Sequence, residues 1–349
     1  MSRKLIFLLI PLWIVCSAID GEAATLMVTN TNDSGSGSLR EAITLASAGD
    51  TIEFEAGVNG PIMLESPLPP LVVNLEILGP GAHVITIDGD GQHQVFLVEA
   101  DTTITISGLT IMGGFTDADS RTFGIGGGIW NLGTLALTDS VVSGNFAEVS
   151  GGGIANDGIL HITRSTISGN SVALFGSGGG IENFEAELTI VDSTISGNAA
   201  DIGGGISNNS DGGVSQLSVR NSTISGNTAD FEGGGIDNFG GEVELVFSTV
   251  ANNSADFGGG GIANLGDFLA RNSLVANNPT GGDCDDFGFS FQATGNNLAT
   301  DGTCPDFTET TPTALALGPL ADNGGPTQTH ALAADSVAVD AASDCTEID

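Results

Sequence analysis

Apolar and polar residues alternate along most of the chain, in short runs separated by Gly and Asn. In the segment "TTITISGLTI" (102–111), Ile or Leu occupies every second position over most of the run. A period of two predicts β-strands that bury one face. The repeated region has no apolar stripe with the helical period of 3.6 residues. The pattern therefore predicts an all-β chain made of short strands.

The alternation is organised in repeats. The motif "DSTISGN" (192–198) has near copies whose serines are Ser140, Ser165, Ser193, Ser222, Ser248 and Ser273. A second motif, "GGGI", begins at Gly126, Gly151, Gly178, Gly203, Gly233 and Gly259. The two motifs alternate with a spacing of 25 to 30 residues. A repeat of this length that contains only short strands forms one coil of a solenoid, with equivalent residues stacked about 4.8 Å apart. We predict a right-handed, single-stranded parallel β-helix over residues 51–300.

Two columns of identical Asn residues accompany the repeats. One follows the "SG" pair at Asn145, Asn170, Asn198, Asn227, Asn253 and Asn278. The other follows GGGI at Asn131, Asn156, Asn183, Asn208, Asn238 and Asn264. Stacked amides hydrogen-bond from coil to coil, so the first column is predicted to be an internal structural ladder. The residue before it is Gly, or Asn at Asn252 and Asn277, which predicts a turn with positive φ.

The ends of the chain differ from the repeats. Residues 1–23 combine Arg3 and Lys4 with an apolar run and then small residues, which predicts a secretory signal peptide cleaved after Ala18 or Ala23. Residues 24–50 are predicted to cap the first coil with a short helix. Its capping box is Ser38 with Glu41, and its apolar face is formed by Leu39, Ala42, Ile43 and Ala46. No later segment is apolar enough to span a membrane, so we expect a secreted chain.

The net charge of the chain limits the classes of molecule that it can bind. The formal net charge is −36, there is no Tyr, and after the predicted signal peptide there is no Lys. The remaining basic residues are Arg40, Arg121, Arg164, Arg220 and Arg271. Binding to nucleic acid requires cations that neutralise phosphates, and this composition excludes it.

A polysaccharide lyase would need a cation to neutralise a uronate and a base to remove a proton. The candidates on the predicted outer strand face are Arg220, Glu244, Arg271 and His161. Arg220 and Arg271 are expected two coils apart, with Glu244 on the coil between them. The alternative interpretation is a solvated strand face with a surface charge pair of about 0–1 kcal/mol. Because the charged residues are spread over many coils, the sequence favours a binding surface over an active site.

Three further features suggest structural roles for charged residues and cysteines. Acidic residues that could bind calcium weakly lie before GGG and in "GGDCDDFG", at Asp201, Asp230, Asp256, Asp283, Asp285 and Asp286. Calcium is the one cofactor that the sequence suggests. Arg164 stands between Asp139 and Asp192 of neighbouring coils and is expected to form an ion ladder. In an exported chain Cys284 and Cys304 can form a disulfide, and Cys345 is left over or replaces one of them.

Several segments resemble exported bacterial proteins. "VTNTNDSGSGSLREAITLA" (28–46) resembles the CSLREA-type segment that opens many surface β-helix proteins, with Gly37 in place of the family's Cys. The GGGI repeats resemble the GGAI-type repeats of chlamydial polymorphic outer membrane proteins and of other pectate-lyase-like β-helices. "LGPLADNGGPTQTHALAADSVAVDAA" (317–342) resembles the choice-of-anchor Q region. That pattern normally continues further, so residues 301–349 are expected to be an incomplete segment of this type.

The resemblance implies a bacterial protein that is secreted or displayed at the cell surface or outer membrane. Its implied role is adhesion, carbohydrate binding or envelope structure, with a polysaccharide or a surface protein as partner. The alternative is a polysaccharide lyase or glycoside hydrolase of the same β-helix class.

Overall fold

The computed structural model describes residues 23–119, 122–173 and 175–342. The predicted signal peptide, except Ala23, and Cys345 lie outside the described residues. The predicted fold class is confirmed, because the chain forms a parallel β-solenoid of about 10 turns with almost no helix.

We call the widest sheet the broad sheet. In each GGG repeat it contains a short strand directly after the GGG motif and then a longer strand. In the later turns the two strands merge into one. Its strands are Thr25–Val28, Asp50–Phe54, Leu75–Leu78, Phe96–Val98, Thr103–Ser107, Ile129–Asn131, Thr134–Thr138, Ile154–Asn156, Ile159–Thr163, Ile181–Phe184, Glu187–Val191, Ile206–Asn209, Gln216–Arg220, Ile236–Val246, Ile262–Arg271, Cys284–Asp286 and Ser290–Thr294.

Two further sheets complete each turn. The second sheet contains Gly60–Met63, Ile85–Asp88, Thr110–Met112, Val141–Ser143, Thr166–Ser168, Thr194–Ser196, Thr223–Ser225, Thr249–Ala251, Leu274–Ala276, Leu298–Ala299 and Thr308–Glu309. The third sheet contains Phe115–Thr116, Phe146–Ala147, Ser171–Val172, Ala199–Ile202, Thr228–Glu232 and Ser254–Ala255. Strand pairing between turns is parallel throughout these three sheets.

The core is a set of aliphatic columns along the solenoid axis. The Ile after each GGG is fully buried and pairs in register with its equivalents at Ile154, Ile181, Ile206, Ile236 and Ile262. Burial of each such side chain contributes about 1.5–3 kcal/mol. The stacking also explains the strict repetition, since each position contacts its own equivalent on the neighbouring turns.

Both Asn columns form hydrogen-bonded ladders. In the first, each Asn Nδ2 donates to Oδ1 of the next Asn at 2.9–3.3 Å, and the ladder ends at Asp283. In the second the corresponding distances are 2.7–2.8 Å, and the ladder ends at Asp286. The turn residue that precedes each Asn of the first column has positive φ, from +57° at Asn277 to +68° at Gly226.

A second left-handed position was not predicted. The residue directly before the motif serine has a φ of +46° to +52° in all six repeats, at Asp139, Arg164, Asp192, Asn221, Phe247 and Asn272. Non-Gly residues rarely adopt this conformation. The serines that follow form a column of their own, in which the backbone N–H of each of the first five donates to Oγ of the serine on the next turn at 3.1–3.2 Å.

Each end of the solenoid carries an added segment. At the start, the helix Leu39–Leu45 begins at Ser38, whose Oγ accepts from Glu41 N, while Glu41 Oε2 accepts from Gly37 N at 2.6 Å. At the other end, the helix Pro312–Leu315 leads into an antiparallel hairpin, Leu317–Ala321 with Thr329–Leu332. This hairpin folds back over the second sheet, where Thr194 Oγ1 donates to the Gln328 carbonyl at 2.6 Å.

Candidate functional site

The outer face of the broad sheet forms an open groove across five long strands. Side chains alternate along each strand, so Leu188 and its equivalents point inward while the residues on either side point outward. The outward residues stack into two columns, Glu187–Gln216–Glu242–Asp267–Ser290 and Thr189–Ser218–Glu244–Leu269–Gln292. Together they line a groove of about 430 Å³.

The groove is acidic. Its lining contains four carboxylates, at Glu187, Glu242, Glu244 and Asp267, and the described lining residues include no Arg, Lys or His. At its edge, Arg220 Nη2 lies 2.6 Å from Glu244 Oε2, and Arg220 Nε donates to Ser218 Oγ at 3.1 Å. Both charged side chains are about 40% exposed, so solvent screens this pair.

The structure brings together only part of the predicted catalytic set. Arg220, Val246 and Arg271 are register partners on successive strands, so the two Arg residues lie two strands apart as predicted. His161 shares the outward column of Glu244, but three strands separate them, which corresponds to about 14 Å. The four candidates therefore do not converge on one reacting bond.

Arg164 forms an ion pair with one of the two Asp residues that the predicted ladder placed beside it. Its Nε donates to Asp139 Oδ1 at 2.8 Å and its Nη2 to Asp139 Oδ2 at 2.6 Å. This bidentate hydrogen bonding lowers the pKa of Asp139. On the next turns the column continues with Asn221 Nδ2 donating to Asp192 Oδ1 at 2.6 Å. These residues are occupied by contacts between turns.

The six carboxylates considered for calcium lie in different environments. Asp201, Asp230 and Asp256 each follow an Ala that is in register in the third sheet, but the register shifts after Ala200, and Asp201 Oδ2 accepts a hydrogen bond from Phe175 N at 2.7 Å. Asp283 is buried, and its carboxylate accepts from Asn278 Nδ2 and from Thr300 N and Oγ1. Asp285 and Asp286 belong to the broad sheet, where Asp286 accepts from Asn264. Within the described ranges no group of three or more His, Cys, Asp or Glu residues is arranged to hold a metal ion.

Cys284 and Cys304 form a disulfide near this end, with their Cα atoms 4.8 Å apart. His330, for which the sequence suggested no role, joins the hairpin to the second sheet. Its Nε2 lies 2.8 Å from Ser225 Oγ and its Nδ1 lies 2.7 Å from the Gly318 carbonyl.

The sequence did not reveal a buried group of acids on the short strands of the broad sheet. Glu182, Ser207 and Asp237 are register partners on three neighbouring strands, and we call these three residues the acid column. Their exposures are 4%, 1% and 2%. Burial raises the pKa of Glu182 to about 7, against the opposing effect of the nearby polar side chains of Ser177, Ser207 and Asn209. Burial also raises the pKa of Asp237 well above its usual range, and the nearby Glu232 and Glu182 add to this.

The acid column is buried because of the GGG turn. These residues follow the inward Ile, so the period of two predicts that they face solvent. Gly178 has a φ of +67°, which folds the preceding loop back over the strand. The approach is so close that a Cβ at Gly178 would lie 2.7 Å from Glu182 Cα. Ala and Ser occur at this position alongside the acids. Small residues are common where space is restricted, so this mixture could have indicated that the position is buried.

Comparison with known proteins shows little beyond the fold. The chain matches no protein-family model, and no curated protein matches it. Among solved structures, it is similar to an alginate lyase of the PL6 family, with 14% identity and a TM-score of 0.26. The match covers 88% of this chain and 55% of the lyase, so the chain spans about half the length of that protein. No described helix is both long and apolar enough to cross a bilayer.

Proposed function

We propose that this protein is an exported, surface-displayed solenoid that binds a carbohydrate chain along the groove of the broad sheet without cleaving it. The observation that carries the proposal is the pair of outward columns that line the groove. They present carboxylates, amides and hydroxyls at the spacing of the strands, over about 19 Å. A linear polymer of hydroxyl-bearing units suits a surface that repeats in this way, because many weak contacts add along its length.

The charge of the groove selects among carbohydrates. Four carboxylates without a basic lining residue repel uronic acid polymers and favour neutral or amino-sugar polymers. Carboxylates accept strong hydrogen bonds from sugar hydroxyl and ammonium groups. We therefore expect retention of neutral and cationic polymers and poor retention of polyuronates.

Cleavage of the bound polymer is the second candidate function. It is favoured by Glu244, a carboxylate at the groove that is held by Arg220 at 2.6 Å. A glycosidase needs a pair of carboxyl groups on either side of the scissile bond. Glu242 lies on the same outer face, two residues from Glu244 on the same strand, but Glu244 is bound by Arg220 and exposed to solvent at the edge of an open groove, so we place binding first.

The proposal is tested by retention of the protein on immobilised polysaccharides. A Glu187→Gln, Glu242→Gln variant removes two charges from one column of the groove. The matched control is Glu76→Gln, because Glu76 occupies the same outward column as Glu244, six strands away. We expect the groove variant to lose at least about tenfold in affinity, equivalent to 1.4 kcal/mol, and the control to match the parent. Equal retention of all three proteins would contradict the proposal.

A further inference from the structure

Three oxygen atoms of the acid column have no hydrogen-bond partner among the described residues. They are Glu182 Oε2, Ser207 Oγ and Asp237 Oδ1. Their side chains lie on the same outer face of neighbouring strands, in register, and all three residues are more than nine-tenths buried. Buried polar atoms are almost always hydrogen-bonded, so three unpartnered oxygens in one column point to a missing ligand.

Among the described residues, each charged group that affects the acid column is acidic. The charged groups that act on Glu182 and Asp237 are each other, Asp157 and Glu232, and Glu232 in turn is affected by Asp285. The described Arg residues nearest in sequence form ion pairs elsewhere, Arg164 with Asp139 and Arg220 with Glu244. Two carboxyl groups buried without a basic partner must be neutralised by something else.

A proton or a water molecule would solve only half of this problem. A proton removes the charge but leaves the oxygens of neighbouring strands without partners, because they do not hydrogen-bond one another. A water molecule provides partners but leaves the charge. A metal cation does both. An ion level with Ser207 lies about 4.8 Å along the axis from the strands of Glu182 and Asp237, so cation–oxygen bonds of about 2.4 Å require these two side chains to lean toward it by about half that distance.

We propose that the acid column is a cation site, in which Glu182, Ser207 and Asp237 supply oxygen ligands to a hard cation such as Ca²⁺. The site consists of two carboxyl groups and one hydroxyl group, so it is not a group of three acidic residues. It also differs from the six carboxylates suggested by the sequence, three of which follow Ala residues of the third sheet. The cation would hold three neighbouring turns together beneath the GGG loops.

Terbium luminescence offers a readout that is specific to this site. Trp130 stands in the same column, two strands from Glu182 and therefore about 10 Å away. The chain has two Trp residues and no Tyr, and Trp13 belongs to the predicted signal peptide, so the secreted protein carries Trp130 as its one strong sensitiser. Tb³⁺ replaces Ca²⁺ at oxygen sites, and its emission on excitation of Trp requires that the ion be close to the indole.

The experiment titrates the secreted protein with Tb³⁺ and then displaces the ion with Ca²⁺. We expect sensitised emission that saturates and that Ca²⁺ reverses. In the same protein, Glu182→Gln with Asp237→Asn should weaken Tb³⁺ binding at least tenfold. The control Asp230→Asn with Asp256→Asn removes two exposed carboxylates at the third sheet and should leave the titration unchanged.

Two results would overturn the proposal. One is an absence of saturable sensitised emission in the parent chain, which would mean that protons neutralise the acid column. The other is equal emission from the parent and the Glu182→Gln, Asp237→Asn variant. If the double variant does not fold, Ser207→Ala replaces it in the titration, because this substitution removes one ligand and changes the side-chain volume little. It should weaken Tb³⁺ binding severalfold, and an unchanged affinity would also contradict the assignment.

Discussion

Asn198 donates a hydrogen bond of 2.9 Å from its Nδ2 to Oδ1 of Asn227, which occupies the equivalent position on the next turn. The same Asn198 Oδ1 accepts from both the backbone N–H and Nδ2 of Asn170 on the turn before. Each amide therefore links three turns, and no link is exposed to water. The ladder satisfies backbone groups in turns that would otherwise be buried without partners.

The Asn ladder predicts that two substitutions differ strongly in their effect on the free energy of unfolding. Asn198→Ala leaves the buried Asn170 N–H and the Ile167 carbonyl without partners, and we expect a loss of about 3–5 kcal/mol in the free energy of unfolding. Arg220→Ala removes a half-exposed ion pair and should cost about 0–1 kcal/mol. Urea denaturation followed by circular dichroism compares the two variants. Equal midpoints would show that the ladder does not stabilise the solenoid.

The two kinds of Gly in the repeat should respond differently to Ala. At Gly180 an added Cβ would lie 2.5 Å from the Gly205 carbonyl oxygen of the next turn, so the turns must separate. We expect Gly180→Ala to lower stability by about 3 kcal/mol or more. At Gly197 the φ of +63° is strained for Ala, but no atom lies within 4 Å of the added Cβ, so the cost should be about 1–2 kcal/mol. Thermal unfolding of both variants measures the difference, and a reversed order would contradict it.

Acid stability should depend on Asp50. Its Oδ1 accepts from Ala24 N at 2.7 Å and its Oδ2 from Ser47 N at 2.8 Å, and these hydrogen bonds lower the pKa of Asp50. Because the pKa is lower in the folded chain, the stabilisation is present above the unfolded value of about 4 and is lost as the pH falls through the folded value. The stability difference between the parent and Asp50→Asn should therefore shrink between about pH 6 and pH 2. Parallel stability curves over this range would refute the role of Asp50.

The same contact bears on the processing of the chain. If the signal peptide is cleaved after Ala23, the N–H of Ala24 becomes an ammonium group 2.7 Å from Asp50 Oδ1. A charged donor strengthens this hydrogen bond, so cleavage after Ala23 would make the N-terminal cap more stable than cleavage after Ala18. N-terminal sequencing of the secreted protein decides between the two sites.

The repeat could be predicted because a solenoid stacks each residue on its own equivalent. Alternation alone identified the inward Ile and Leu positions, and the identity of Asn198 with its equivalents indicated the ladder. The pair Arg220–Glu244 also followed from counting positions back from the motif serine. In these cases a local pattern and its repetition determine the three-dimensional neighbours.

The remaining features depend on how loops and ends fold over the coils. Glu182 lies at a position that faces outward by the period of two, and only the left-handed turn at Gly178 buries it. The left-handed conformation at Arg164 and Phe247 contradicts their ordinary preferences, and each of them directly precedes a serine of the serine column. The contact of His330 with Ser225 joins residues 105 positions apart, which no local pattern encodes.

The most direct test of the proposed function is incubation of the secreted protein with neutral, amino-sugar and uronic acid polysaccharides, with retention and chain length measured together. We predict that neutral or amino-sugar polymers are retained through the groove and keep their length, and that Glu187→Gln with Glu242→Gln abolishes the retention. Shortening of any polymer by the parent chain, lost in Glu244→Gln, would contradict binding without cleavage and identify the protein as an enzyme.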